Sequence, residues 1–224
     1  AHFYRNGYNA DVMKRLEASE AFMLMDPSMN MALPYGIATP DRKGFAVSLD
    51  LDYAEAIEVN GRFSQYNQDA IDNKYTQFAA GLGVNVGRLF GLERDLIIQG
   101  SYDHAEEDAF YERTSDRIMA GASLDIWGPI SLLAGYQSVV KEYGNPLWIA
   151  TESAITKAEE ALLLVGPRIK IAPASYISVQ YGMLTNAVSF SRMGVAEDGV
   201  TPIAVNDELS IDKNVIIADV TVAF

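Results

Sequence analysis

From Gly44 onward, apolar and polar residues alternate with a period of two, the pattern of β-strands whose two faces meet different environments. Phe45, Val47, Leu49, Leu51 and Tyr53 alternate with Ala46, Ser48, Asp50 and Asp52. Ile57, Val59 and Phe63 alternate with Glu58, Asn60, Arg62 and Ser64. The pattern returns over residues 78–86, 96–102, 118–126 and 130–136. It then sets Leu163, Val165, Ile169 and Ile171 against Gly166, Arg168 and Lys170, and recurs over 177–183 and 215–224. About nine antiparallel strands are predicted after Gly44, so the fold class is all-β.

The first 43 residues are a separate N-terminal segment. Residues 11–25 read as a short helix with Val12, Leu16 and Met23 on one side, and 18–25 read equally as a strand. Pro27, Pro34 and Pro40 mark a Met-rich loop after it.

Connections alternate in length. Long ones are predicted near Asn67, Glu106, Asn145 and Ser191, including loops over about 142–157 and 184–212; short ones fall near Glu55, Leu92, Gly128 and Pro173. An up-and-down membrane barrel has long loops on one side and short turns on the other, whereas Greek-key sandwiches show no such parity. Most strands also carry a glycine near the middle: Gly61, Gly83, Gly100, Gly121, Gly135, Gly166 and Gly182. Glycine weakens a flat strand, so its recurrence points to strong curvature or close packing. With both termini on the short-turn side the strand count is even. Residues 16–25 then supply a tenth strand that closes the barrel against 215–224.

Composition narrows the classes. The chain has 224 residues, 49% hydrophobic and 21% charged, with a net charge of −13. That balance argues against a nucleic-acid partner, which needs clustered Lys and Arg. No cysteine is present, so disulfides and thiolate metal sites are excluded. No apolar run approaches the ~18 residues of a membrane helix, but barrel strands cross with about ten alternating residues each. The start at Ala1 fits a product of signal cleavage, or a chain with an upstream portion outside this sequence.

The last stretch carries a resemblance. Val222, Val220, Ala218 and Ile216 form one apolar face that runs to an aromatic terminus, Phe224. This resembles the closing strand of bacterial outer-membrane β-barrels, with Val222 standing where a second aromatic would be. The resemblance implies a transmembrane barrel over 44–224, located in the bacterial outer membrane, with Val220, Val222 and Phe224 as the insertion signal. It also implies an aromatic girdle, for which Tyr53, Tyr102, Trp127, Tyr136, Tyr181 and Phe224 are candidates.

Candidate chemistry is sparse. Only His2 and His104 are present. Asp103-His104 with Ser101 nearby invites comparison with outer-membrane hydrolases, but alternation puts Asp103 and His104 on opposite faces. Asp50 and Asp52 share a face, but beside the short turn at Glu55, at the other end of the barrel. The inward polar set is Asp50, Asp52, Glu58, Arg62, Asp125, Arg168, Lys170 and Asp219. It reads as a mutually paired lumen network, or as the lining of a weakly cation-preferring pore. The acidic loop residues, among them Asp69, Asp72, Glu106, Glu107, Asp108, Asp116, Glu159 and Glu160, show no calcium-loop spacing and read as a solvated rim.

The expectation is therefore a non-enzymatic outer-membrane anchor or surface component. It contacts outer-membrane lipid and docks a protein partner through its loops or the N-terminal segment, with no cofactor, metal or catalytic residue assigned. A narrow porin-like channel is the alternative, and a surface hydrolase using His104 the third.

Overall fold

The computed structural model describes residues 42–54, 56–68, 73–108, 112–150, 153–172, 175–195 and 202–222. Nine strands follow in order: β1 (Arg42–Tyr53), β2 (Ile57–Gln68), β3 (Asn73–Asn85), β4 (Leu96–Asp108), β5 (Arg113–Trp127), β6 (Ile130–Ala150), β7 (Ser153–Ala172), β8 (Ser175–Val195) and β9 (Pro202–Thr221). Each pairs antiparallel with the next, in one sheet whose spatial order is the chain order. This is the expected up-and-down meander, but without the expected alternation of connections. Residues 86–95 between β3 and β4, expected short, form the longest link, and only residues 151–152 separate β6 from β7, where a long loop was expected. Among the described residues β1 and β9 have one strand neighbour each. The segment 16–25, expected as a tenth strand, and Phe224 of the expected insertion signal lie outside the described residues.

The outward face is apolar. Val47, Leu49, Leu51, Leu82, Ile98, Ile118, Leu124, Leu132, Leu163, Val165, Val179, Met183, Ile216 and Val220 are all substantially exposed on it. On β1 the run from Phe45 to Tyr53 covers about 27 Å of strand at ~3.4 Å per residue, or about 21 Å of height at a barrel tilt of ~40°. Outer-membrane barrels carry an apolar band about 25 Å tall.

The band does not follow the hydrogen-bonded rows. The row through Leu49 passes Gly61, Ala80, Tyr102 and Ile118, then Ser138, Ala161 and Thr185, and ends at Asp212. On the outer face of β9 the exposed large apolar residues are instead Ile216 and Val220, nearer the turns, while the exposed Leu209 and Ile211 fall on the inner rows. A level band on tilted, staggered strands has this offset, since tilt and register stagger go together when a sheet curls into a barrel.

Three expectations are corrected. Glu106, Glu107 and Asp108 belong to β4 rather than to a loop. Val86 is not the end of the third strand but the first residue of a short helix, α1 (Val86–Phe90). Asn85 caps it, with its Oδ1 accepting from the Arg88 backbone N–H at 3.0 Å, and Gly91 ends it at φ 63°. That left-handed conformation is open to glycine at little cost.

The third correction is the largest. The loops expected over 142–157 and 184–212 are mostly strand: β6 to β9 run for 21, 20, 21 and 20 residues. A membrane crossing takes about 9–11, so this hairpin pair continues about 30 Å beyond the band on the loop side. Gly144, Asn145 and Pro146 look like a turn in sequence. They fall instead at a register shift between Glu142 and Leu147, where the ladder tolerates them.

Candidate functional site on the inner face of the sheet

Register fixes which side chains point inward. Inner rows cross all the strands: Ser48, Arg62, Ala79, Asp103, Arg117, Val139, Glu160 and Asn186 form one of them. Directly opposite one another in this row, Arg117 donates to Asp103 through Nη2 at 2.9 Å and Nε at 3.0 Å. Both side chains are nearly inaccessible to solvent, at 8% and 4% exposure. A two-donor contact of this kind offsets the desolvation that burial of both charges incurs.

Turnward of this row the inner face is mixed, with buried polar residues such as Gln99, Gln137, Ser178 and Gln180 around an apolar cluster. Met119, Leu133, Leu162, Leu164 and Leu184 form one buried cluster, with Val215 and Ile217 packed against it. Gly182 sits among them. A Cβ there would lie 2.5 Å from Leu164 Cδ2 and 2.7 Å from Val215 Cγ2, so any larger residue would push these side chains from their places in the cluster. Loopward, Tyr75, Ala105 and Val139 form a second buried cluster with Tyr66 against it, the two tyrosine rings stacked at 6.2 Å. The interior thus holds two apolar clusters with buried charged and polar groups among them.

Glu160 lies in the polar layer. It is 2% exposed, and neither carboxylate oxygen has a hydrogen-bond donor. On β7 the outward apolar band comprises Leu163, Val165, Ile169 and Ile171, so Glu160 stands just loopward of it. Burial pushes its carboxyl up to about 8 from the usual 4.5.

The eight inward polar residues named from sequence all fall on inner rows by register. They are spread along the barrel rather than gathered. Asp50 and Asp52 are exposed on β1, opposite Asn60 and Glu58. Arg62 shares the row of Asp103 and Arg117. At the turn end, Asp125 accepts from Ser131 Oγ at 2.7 Å, and the Arg168 guanidinium lies 5.5 Å from the centre of the Tyr176 ring. Asp219 opposes Ser178, and Lys170 is exposed at the rim.

Glu160, expected on a solvated acidic rim, is instead a β7 residue buried by the sheet's inner face, and Asp116 and Glu159 likewise lie on strands. Asp103, considered only beside His104, pairs with Arg117, and neither Arg117 nor the leucine cluster was expected at the centre of the interior. One signal for the leucines was present. The run Ala161-Leu162-Leu163-Leu164-Val165 breaks alternation, which means apolar surroundings on both faces.

His104 is on the opposite, outward face from Asp103. Its Nδ1 lies 2.8 Å from Asp116 Oδ1, and Tyr102 Oη donates to the same oxygen at 2.5 Å. The tyrosine bonds the carboxylate and not the imidazole, which differs from the nucleophile–His–Asp order of acyl-transfer relays. Farther loopward, Glu106, Glu107, Asp108, Glu112, Glu142 and Lys157 help line a cleft of about 560 Å³. Lys157 pairs there with Glu159 at 2.7 Å. Among the described residues no group of three or more His, Asp or Glu is arranged to hold a metal ion.

No protein-family model matches the chain, and no curated protein matches it. Among solved structures it is similar to the outer-membrane expressed OmpT of Vibrio cholerae, with 14% identity and a TM-score of 0.48. It is also similar to the in-vitro folded form of OmpT, an outer membrane protein of the same organism, with 14% identity and a TM-score of 0.44. Each match covers 79% of this chain and 56% of the other, so the chain spans little more than half the length of those proteins.

Proposed function

We propose that the protein is a bacterial outer-membrane β-barrel that serves as a non-conducting, non-enzymatic anchor and presents its projecting strands to a partner. One observation carries the reading: around Leu162–Val165 the sheet is apolar on both faces at the same height. Outward Leu163 is 38% exposed, while its sequence neighbours Leu162 and Leu164 are buried inside with Met119 and Leu133. The outer apolar face suits lipid, because a lipid-embedded sheet satisfies its backbone internally and turns its greasy side chains outward. The inner cluster fills part of the interior with apolar side chains on strands β5 to β9, which favours an anchor over the alternative of a weakly cation-preferring channel.

The docking surface of this proposal is the loop-side extension of β6 to β9, which is too long to serve the membrane alone. Cross-strand contacts support its order, among them Arg192 Nε to Asp207 Oδ2 at 2.5 Å. The outward His104–Asp116–Tyr102 group is read as an interfacial polar cluster at the upper edge of the band.

The test is reconstitution into lipid vesicles followed by protease treatment. The reading expects the chain to float with the lipid and to migrate differently before and after boiling. It also expects cleavage confined to the projecting β6–β7 and β8–β9 hairpins. A chain that stays in the aqueous fraction, or is digested through 163–183, would refute it.

A further inference from the structure

Two neighbouring acceptor groups on the inner face have no donor. Glu160 on β7 stands opposite Val139, and Gln137 on β6 stands opposite Leu162, one inner position nearer the turns. Such diagonal positions lie roughly 7–8 Å apart, within reach of side chains as long as Glu and Gln. Glu160 is 2% exposed and Gln137 4%. Both oxygens of Glu160 and Oε1 of Gln137 are buried without a hydrogen-bond partner. Buried oxygens are rarely left bare, and an unmatched carboxylate is the costliest kind.

The surroundings supply no dedicated counter-charge. Arg117, in the same row on β5, is bound to Asp103 of β4. Lys141 on β6 lies one inner position loopward of Val139, opposite Ala158. From β8, Asn186 faces Glu160, with Leu184 and Val188 to either side. The burial that raises the Glu160 carboxyl to about 8 has no charged neighbour among its causes.

We propose that Glu160 and Gln137 form a binding site for a compact monovalent cation, an alkali ion or a primary ammonium group, which competes with a proton for the carboxylate. The donor set is all oxygen, which suits a hard cation or the three N–H donors of an ammonium. One carboxylate matches one positive charge, whereas a divalent ion takes several acidic ligands. An anion would meet the carboxylate's repulsion, and an apolar ligand would leave the oxygens unmatched.

The test uses the full chain folded in detergent micelles. Its thermal unfolding midpoint is compared at equal ionic strength in potassium, sodium, ammonium or N-methylglucamine chloride, at pH 6 and pH 9. The midpoint should rise by several degrees in a small cation relative to N-methylglucamine at pH 9, and the difference should vanish at pH 6. Which small cation gives the larger rise separates an alkali ion from an ammonium. Glu160→Gln should abolish the cation effect, and Gln137→Leu should raise the concentration needed for half of it several-fold. Equal midpoints in all salts at pH 9, or an unchanged effect in Glu160→Gln, would overturn the proposal. If Glu160→Gln does not fold, the infrared carboxyl band of the unmodified chain at pH 8 serves instead. Addition of the small cation should convert protonated carboxyl to carboxylate, and an unchanged band would overturn the site.

Discussion

Asp103 and Arg117 face each other across β4 and β5 inside the sheet, bound through both Nε and Nη2, while the next residue along β4, His104, pairs with Asp116 on the outside. One residue of strand separates a buried ion pair from an outward hydrogen-bonded pair. The inner pair is therefore the more consequential to break. Arg117→Met should destabilise the folded protein by about 3–5 kcal/mol, because it strands a buried carboxylate. Replacing both partners by apolar residues should recover most of that loss. Urea unfolding in detergent micelles measures both, and equal losses for the single and double variants would contradict the pairing.

The face assignment predicts where lipid is met. A nitroxide at Ile98 should be accessible to oxygen dissolved in the bilayer, and one at Gln99 should not. Ile98 points outward with half its surface exposed, whereas Gln99 is buried on the inner face. Similarly, Val179→Arg should cost roughly 2–4 kcal/mol in lipid, the range for a cation near the midplane of the outer surface. Equal accessibility at 98 and 99 would invert or dissolve the two faces.

A side chain at Gly182 should displace Leu164 and Val215. Gly182→Val should destabilise by about 1–3 kcal/mol through overpacking against Leu164 and Val215. Adding Leu164→Ala should cost less in that background than alone, because it removes the atom that the new side chain strikes. Additive losses in a double-mutant cycle would show that the two positions do not touch.

Glu160 predicts a pH dependence of definite sign. Its carboxyl is raised to about 8 in the folded protein against 4.5 when unfolded. The folded state therefore holds more protons than the unfolded state between these values. In salts of a bulky cation, stability should fall as pH rises from about 4.5 to about 8, by at most ~1.4 kcal/mol per unit, and level off above. Glu160→Gln should flatten that slope. A slope that is the same in the variant would assign it to other groups.

Much of this architecture was legible in the alternation of apolar and polar residues. The outward face, the meander and the tight turn at Gly128 all follow from a period of two and from turn chemistry. The extent of β6 to β9 was not legible, because polar residues outside a bilayer look alike in a loop and in a paired ladder, and Pro146 suggested a break. The interior was legible only by half. Alternation identifies which residues face inward, but not which of them meet across the lumen. Asp103–Arg117 depends on the register of β4 against β5, and the isolation of Glu160 depends on what its neighbours bind instead. Leu162 and Leu164 departed from the pattern openly, and apolar residues at inner positions are the sequence signal of side chains packed inside the sheet.

The account rests on a barrel closed to ions by its own side chains, and single-channel recording in a planar bilayer tests that most directly. The refolded full chain should insert without producing stable current steps, while a variant carrying Met119→Ser, Leu162→Ser and Leu164→Ser together should conduct. Steady, reproducible current steps from the unmodified chain would contradict it and make the protein a channel.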